Sequence, residues 1–323
     1  VSAPVRSTRE GAGPHERIAL DNGVLRLTAA PGLGGRVLSL RTAGGAEFLY
    51  RNPRLLDEDL QVREGVRLGP TEGPMSAWNN VGGDKTWPAP QGWDGPGEWA
   101  GPPDPVLDSG AYAARTETTA DGSAVLTMTS GDDPRTGLRL SRRVTMAPEA
   151  SGYRLDLGAV NTSGTPRTWA LWNVTQLDGG GGPPDGSGGV YVGVRGGDAP
   201  PAVPLVTGDA DPRVVDHAPG VVRVPAQDVV GKVGFPTAAG WISHVGPAGT
   251  LTQTFAAVEG RYPDHGSRAE VWLEYPLERP LEHLGGLRPV DRVVECEVLG
   301  PLTELAPGDA ASLTVDVALA AHA

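Results

Sequence analysis

The chain has 323 residues, with 39 acidic against 27 basic side chains and a formal net charge of −12, so a face basic enough to grip nucleic-acid phosphates is not expected. No apolar stretch approaches the ~20 residues of a membrane-spanning helix, and the single cysteine, Cys296, excludes an intramolecular disulfide framework or a Cys-based metal cluster. Forty-seven glycines, 31 prolines and a hydrophobic share of 39% describe a chain dominated by turns.

In chain order, the first 17 residues read as an N-terminal extension and 18–323 as one domain. The opening Val1-Ser2-Ala3-Pro4 leaves the compartment open between the cytoplasm and secretion after loss of a leader before Val1. Ile18–Ala29, broken by the Asp21-Asn22-Gly23 turn, reads as strand, turn, strand, and Val37–Leu40 follows. Alternating apolar and polar residues then mark Ala124–Thr129, Leu138–Met146, Tyr153–Val160, Thr168–Val174 and Val190–Val194. The same pattern marks Val221–Val224, Leu251–Ala257, Ala269–Tyr275, Arg292–Leu299 and Ala311–Ala318. In Leu138–Met146 the alternation of Arg139, Ser141 and Arg143 with Leu138, Leu140 and Arg142 reads as a half-solvated edge. Gly179–Gly189 and Asp198–Pro219 read as polar excursions between strands. Every candidate helical stretch is interrupted by Gly or Pro. About a dozen strands without interleaved helices predict an antiparallel all-β sandwich.

One segment departs from this style. Gly82-Gly83-Asp84-Lys85-Thr86-Trp87-Pro88-Ala89-Pro90-Gln91-Gly92-Trp93 is too rich in Gly and Pro for helix or central strand, and reads as an ordered loop. Trp78, Trp87, Trp93 and Trp99 are half of the chain's eight tryptophans, so the loop is expected either to wall a binding site or to be pinned structurally by its indoles. Lys85 is one of only two lysines; the other is Lys232, every other basic position being Arg or His, the bias of a GC-rich genome. Lysine is a compact ammonium of tunable pKa where arginine is a permanently charged fork, so both lysines are candidates for chemistry. If they meet in one pocket they make a positive well for a uronate or sugar phosphate. The alternative is two exposed loop lysines.

The run Leu20–Leu27, then Pro31-Gly32-Leu33-Gly34-Gly35-Arg36-Val37, resembles the opening of galactose mutarotase-like (aldose 1-epimerase superfamily) proteins. Tyr262-Pro263-Asp264, Ala269-Glu270-Val271-Trp272 and Val294–Leu302 resemble the closing strands of the superfamily's uncharacterised branches. Gly82-Gly83-Asp84-Lys85 and Leu171-Trp172-Asn173-Val174-Thr175-Gln176 fall where it carries active-site loops. The resemblance spans Leu20 to Leu319. It implies an antiparallel supersandwich and a concave saccharide-binding face, with Arg36, Asp84, Lys85, Trp87, Trp93, Asn173, Gln176 and Lys232 as substrate-binding candidates. Family mutarotases use a carboxylate base on the anomeric hydroxyl and a histidine acid on the ring oxygen. Here the asparagine-headed motif offers Gln176, which can hydrogen-bond a ring oxygen but not protonate it.

The acid–base candidates are therefore weighed on their residues. Glu295 and Glu297 share one face of a strand, Cys296 the other; they are either an acid–base pair or a solvated outer face. Glu295 is the expected base and Glu270, beside Trp272, the fallback; Glu274 reads as exposed. His244, after Trp241 on a short strand, is the best substitute acid, and His265 could reach the same face. His15, His217, His283 and His322 read as surface residues. No metal-ligand motif or nucleophile elbow is present, and no cofactor is expected. The expected partner is a saccharide, neutral or anionic, with neither nucleic acid nor membrane. Its use is expected to be epimerase- or mutarotase-like; alternatives are a non-catalytic carbohydrate-binding module, or lyase or hydrolase chemistry on a uronate-containing glycan.

Overall fold

The computed structural model describes residues 3–92, 97–197 and 200–322. Among these, helix is confined to four 3-10 turns of three residues each, and the rest of the regular structure is antiparallel strand. One sheet runs β1 (Arg6–Glu10), β2 (Arg17–Asp21), β3 (Leu25–Ala30), β4 (Arg36–Thr42), β5 (Asp84–Ala89), β10 (Arg167–Asp178), β19 (Val293–Leu299), β18 (Ala269–Glu274), β15 (Gly231–Phe235), β12 (Val203–Thr207), with β20 (Thr303–Leu305) beside β10. The other runs β13 (Val215–Ala218), β14 (Val221–Pro225), β11 (Gly189–Val194), β16 (Ala238–Gly246), β17 (Gly249–Phe255), β21 (Ala310–Ala321), β9 (Gly152–Asn161), β8 (Leu138–Met146), β7 (Ala124–Thr129), β6 (Ala113–Thr118). This is the all-β sandwich the patterning predicts. One apolar cluster, from Ile18 and Leu27 through Val144 and Leu155 to Val298 and Val315, joins residues of both sheets.

Among the described residues, twenty-one strands replace the expected dozen. Those missed are mostly short, and several carry too little alternation to be read: Arg6–Glu10, inside the segment taken as an extension, is exposed throughout and forms an edge strand. Val203–Thr207 and Val215–Ala218 fall in the second polar excursion, each at the end of a sheet. Leu138–Met146 is not an edge: it pairs on both sides, and its inward face includes a fully buried Arg142.

The largest correction is the Gly/Pro-rich segment. Asp84–Ala89 is a buried strand in the middle of its sheet, paired along its length with β10. The Gly83 carbonyl accepts the Gln176 N–H at 3.0 Å. Successive peptide groups alternate direction, so the nitrogens of Lys85, Trp87 and Ala89 point toward β10, while those of Asp84, Thr86 and Pro88 point away. Pro88 thus lacks a donor only on the side of β4, whose pairing with β5 is confined to Val37 and Asp84. Proline is tolerated where no ladder bond is asked of it. Gly82 and Gly83 launch the strand with φ of +96° and +84°, and a Cβ on either would lie 2.3 Å from a backbone oxygen of Tyr50 or Val37. Only glycine fits there.

Candidate functional site

Strand alternation sorts the predicted site residues onto two faces. On β5 and β10, Asp84, Asn173 and Thr175 point between the sheets. The Asp84 carboxylate pairs with Arg142 of β8 and accepts from Asn173 Nδ2 at 2.8 Å and Thr175 Oγ1 at 2.5 Å, while Gln253 of β17 donates to Thr175 Oγ1 at 2.9 Å. Asp84 and Asn173 thus join the two sheets through a buried polar network and do not face a ligand. Arg36 is also buried: it bonds the carbonyls of Leu33, Gly82 and Asp108 and pairs with the Asp108 carboxylate at 3.0 Å. Asp108 in turn accepts from the indole N–H groups of Trp78 at 2.9 Å and Trp87 at 3.2 Å, so Arg36 holds the residue that holds two tryptophans.

The outer face carries the other candidates. Lys85 and Trp87 of β5, Trp172 and Gln176 of β10, Glu295 and Glu297 of β19, Glu270, Trp272 and Glu274 of β18, and Lys232 of β15 alternate with core residues and meet by register. Trp172 lies opposite Trp87, Gln176 opposite Glu295, Glu295 opposite Trp272, Glu297 opposite Glu270 and Trp272 opposite Lys232. Above them a cavity of about 360 Å³ is bordered by the indoles of Trp78, Trp87, Trp172 and Trp272, by Glu274, Glu295 and Lys232, and by His283, Leu284 and Leu287 of a covering turn. That volume is at the small end of the ~300–1,000 Å³ range of ligand pockets. The ring centroids of Trp87 lie 6.0 Å from Trp78, 5.2 Å from Trp172 and 5.0 Å from the fully buried Trp99. Trp93 lies outside the described residues.

Both lysines are tied to carboxylates. Lys232, on a strand rather than a loop, donates to Glu270 Oε2 and Glu297 Oε2, each at 2.8 Å, and lies 4.3 Å from the Trp172 ring. Burial opposes its charge, yet the two carboxylates outweigh this and push its pKa up. Glu270 and Glu297 are fully buried, and burial above all pushes both carboxyls up, against the pull of Lys232. Glu270, the fallback base, is thereby committed to Lys232. The Lys85 ammonium, 1% exposed, lies 4.6 Å from the Trp87 ring, 5.3 Å from Trp78 and 3.6 Å from Glu295 Oε1, with no hydrogen-bond partner. Burial pushes its pKa down, with Glu295 acting the other way. The expected positive well does not form, because four carboxylates share this face with the two ammonium groups.

Glu295 borders the cavity at 7% exposure and accepts from Gln176 Nε2 at 2.5 Å. Glu297 is not solvated either: Trp172 Nε1 donates to it at 2.6 Å. His244 is not at this site. It lies on β16 of the other sheet, opposite the core residues Val190 and Leu251, and burial there lowers its pKa to about 4. His265 lies in the 3-10 turn Asp264–Gly266 and does not border the cavity.

Two groups at the cavity were passed over in the sequence. Glu274, read as exposed, is half-buried, accepts from Trp272 Nε1 at 2.9 Å and has its pKa pushed up to about 7, by burial first and then by the charge of Glu295. The two-residue spacing of Glu270, Trp272 and Glu274 was the available signal. His283, set aside as a loop residue, reaches the cavity rim, its Nε2 3.0 Å from the Thr207 carbonyl. A carbonyl only accepts, so Nε2 carries the proton there and Nδ1 remains free. Nothing local in the sequence marked it.

The fold is shared with solved structures of low identity. A TPR-domain containing protein from Parabacteroides distasonis superposes with a TM-score of 0.63 at 14% identity over 96% of this chain, which spans about half (48%) of that protein. A galactose mutarotase-like protein from Lactobacillus casei matches with a TM-score of 0.55 at 13% identity, over 94% of this chain and 100% of the other. Another from Clostridium acetobutylicum matches with a TM-score of 0.51 at 11% identity, over 99% of each chain. No curated protein sequence matches. These likenesses establish a galactose mutarotase-like sandwich and nothing finer. One family model, described as a domain of unknown function, matches residues 15–315, and the chain is a member of that family, DUF4380.

Proposed function

We propose that this protein binds a sugar ring in the indole-bordered cavity and moves protons at its anomeric centre, as an epimerase- or mutarotase-like isomerase. The observation that carries the reading is the convergence of four indoles and the Glu295 carboxylate on one cavity of monosaccharide scale. Indole faces suit the C–H faces of a pyranose, and a carboxylate on the wall suits a hydroxyl. Glu295 takes the proton of the anomeric hydroxyl as the ring C–O bond breaks, and the ring oxygen receives the Nδ1 proton of His283 in its imidazolium form, which becomes the neutral ring with Nε2–H still on the Thr207 carbonyl, leaving an open-chain aldehyde. Rotation about the bond to the carbonyl carbon and closure from the other side return both protons. Gln176 then serves to aim Glu295 rather than to meet the ring oxygen, which accounts for an amide at a position where a histidine would otherwise stand. A non-catalytic binding module is the second reading, favoured by the engagement of Glu295 Oε1 with both Gln176 and Lys85.

Ligand-observed NMR with neutral sugars, uronates and sugar phosphates, with anomeric exchange followed in the same tubes, tests both. Glu295→Gln should cost about a hundredfold or more in exchange rate while binding persists. Unchanged exchange in that variant would remove Glu295 as the base. Binding by the unmodified protein without any exchange would leave the binding module.

A further inference from the structure

The outer face repeats one arrangement. The Lys85 ammonium lies over the Trp87 and Trp78 rings beside the Glu295 carboxylate, and the Lys232 ammonium lies over the Trp172 ring against Glu270 and Glu297. In each case an indole face attracts the cation through its quadrupole and a carboxylate supplies the counter-charge. Trp272 and Glu274 form a third indole–carboxylate pair, joined at 2.9 Å, and both border the cavity. Among the described residues, no lysine or arginine lies within ion-pair reach of Glu274, and of the four cavity indoles Trp272 alone has no ammonium over its ring.

We propose that this third pair is the docking point for the ammonium group of an amine-bearing sugar, so that the cavity selects a cationic aminopyranose over neutral and anionic sugars. This rests on the sugar reading above and narrows it to a substrate class. The charge count agrees: Glu270, Glu274, Glu295 and Glu297 face two ammonium groups, and the buried oxygens Glu270 Oε1 and Glu297 Oε1 have no donor. So does the state of Glu274. Burial and the Glu295 charge hold its carboxyl near neutrality, with Asp291 adding to the effect, while the Trp272 N–H and Lys85 act the other way. Asp291 is itself held by Arg54 and the Tyr50 hydroxyl; Lys232 on β15 and His283 on the covering turn are the other charged or titratable groups at the cavity. An arriving ammonium supplies the missing positive charge and draws the proton off Glu274. Affinity for a cation should therefore rise between about pH 5 and about pH 7 as that proton is lost.

Calorimetric titration of the full chain with glucosamine, N-acetylglucosamine, glucose, glucuronate and tetramethylammonium tests the assignment. At neutral pH glucosamine should bind about tenfold or more tighter than glucose or N-acetylglucosamine, with glucuronate weakest. In Glu274→Gln that preference should fall to about two- to threefold and the pH dependence should vanish. Glucose binding retained by the variant shows that the cavity is intact. Glucose or glucuronate binding the unmodified protein as tightly as glucosamine overturns the inference and leaves the sugar reading standing, as does a preference that survives Glu274→Gln. Binding of tetramethylammonium with no sugar bound at all overturns the sugar reading, and the aminopyranose with it.

Discussion

Lys232→Met should be among the most damaging single changes in this protein, and its damage should depend on pH. The side chain is of similar length, so the cavity floor keeps its shape, but Glu270 and Glu297, both 0% exposed, lose the cation that both contact at 2.8 Å. Breaking a buried ion pair from one side costs about 3–5 kcal/mol, because the remaining charge is neither solvated nor matched. With an unfolding entropy of about 2.1 cal/mol/K per residue, this lowers the melting temperature by roughly 4–7 °C. Both carboxyls already have pKa values raised above those of the unfolded chain, and loss of Lys232 raises them further. In that situation the folded state binds more protons than the unfolded state once pH exceeds about 4.5, so stability falls as pH rises. The deficit against the unmodified protein should be small near pH 4.5 and grow as pH rises above it. The triple change Lys232→Met, Glu270→Gln, Glu297→Gln should recover most of the loss, since amides need no counter-charge. Thermal melts at several pH values read all of this. A deficit independent of pH, or a triple variant no more stable than the single one, would refute the electrostatic reasoning.

Two further outcomes follow from the corrected positions. Asp84→Asn should destabilise by about 3–5 kcal/mol because it strands the Arg142 guanidinium between the sheets; with Arg142→Met added, urea melts should show part of that loss restored. Neither variant should change ligand affinity by more than about twofold, since exposed-face contacts are untouched; a larger effect would return Asp84 to the site. Burial lowers the His244 pKa to about 4, below its unfolded value, so the neutral ring contributes stability that is full above about pH 6.5 and lost as pH falls toward about 4. Melts of the unmodified protein and His244→Gln should therefore converge on acidification, and parallel curves would contradict the assignment.

The chain's own residues determined its fold class, because alternation and Gly/Pro punctuation are local properties that the strands at Ile18, Leu138, Tyr153 and Val293 obey. They also determined that Glu295 and Glu297 share a face, and that Glu270, Trp272 and Glu274 share one, since side-chain direction along a strand follows from spacing alone. Which face that was could not be read locally. Asp84 and Lys85 are neighbours, as are Asn173 and Trp172, and within each pair one residue enters the buried network between the sheets while the other projects from the outer face, where Trp172 borders the cavity and Lys85 lies buried against Trp87 and Trp78. That assignment depends on the position of Arg142, 58 residues from Asp84 in sequence and in a strand of the opposite sheet. The Pro88 strand was hidden for a related reason: proline is excluded from a central strand only if its nitrogen faces a bonding partner, and the partner's reach is a tertiary fact. Likewise, two rare lysines suggested a positive site until register set Lys232 between Glu270 and Glu297 and left Glu274, among the described residues, without an ion pair. Charge in a sequence is a count, whereas the field at a cavity depends on which of those charges have already been matched across strands.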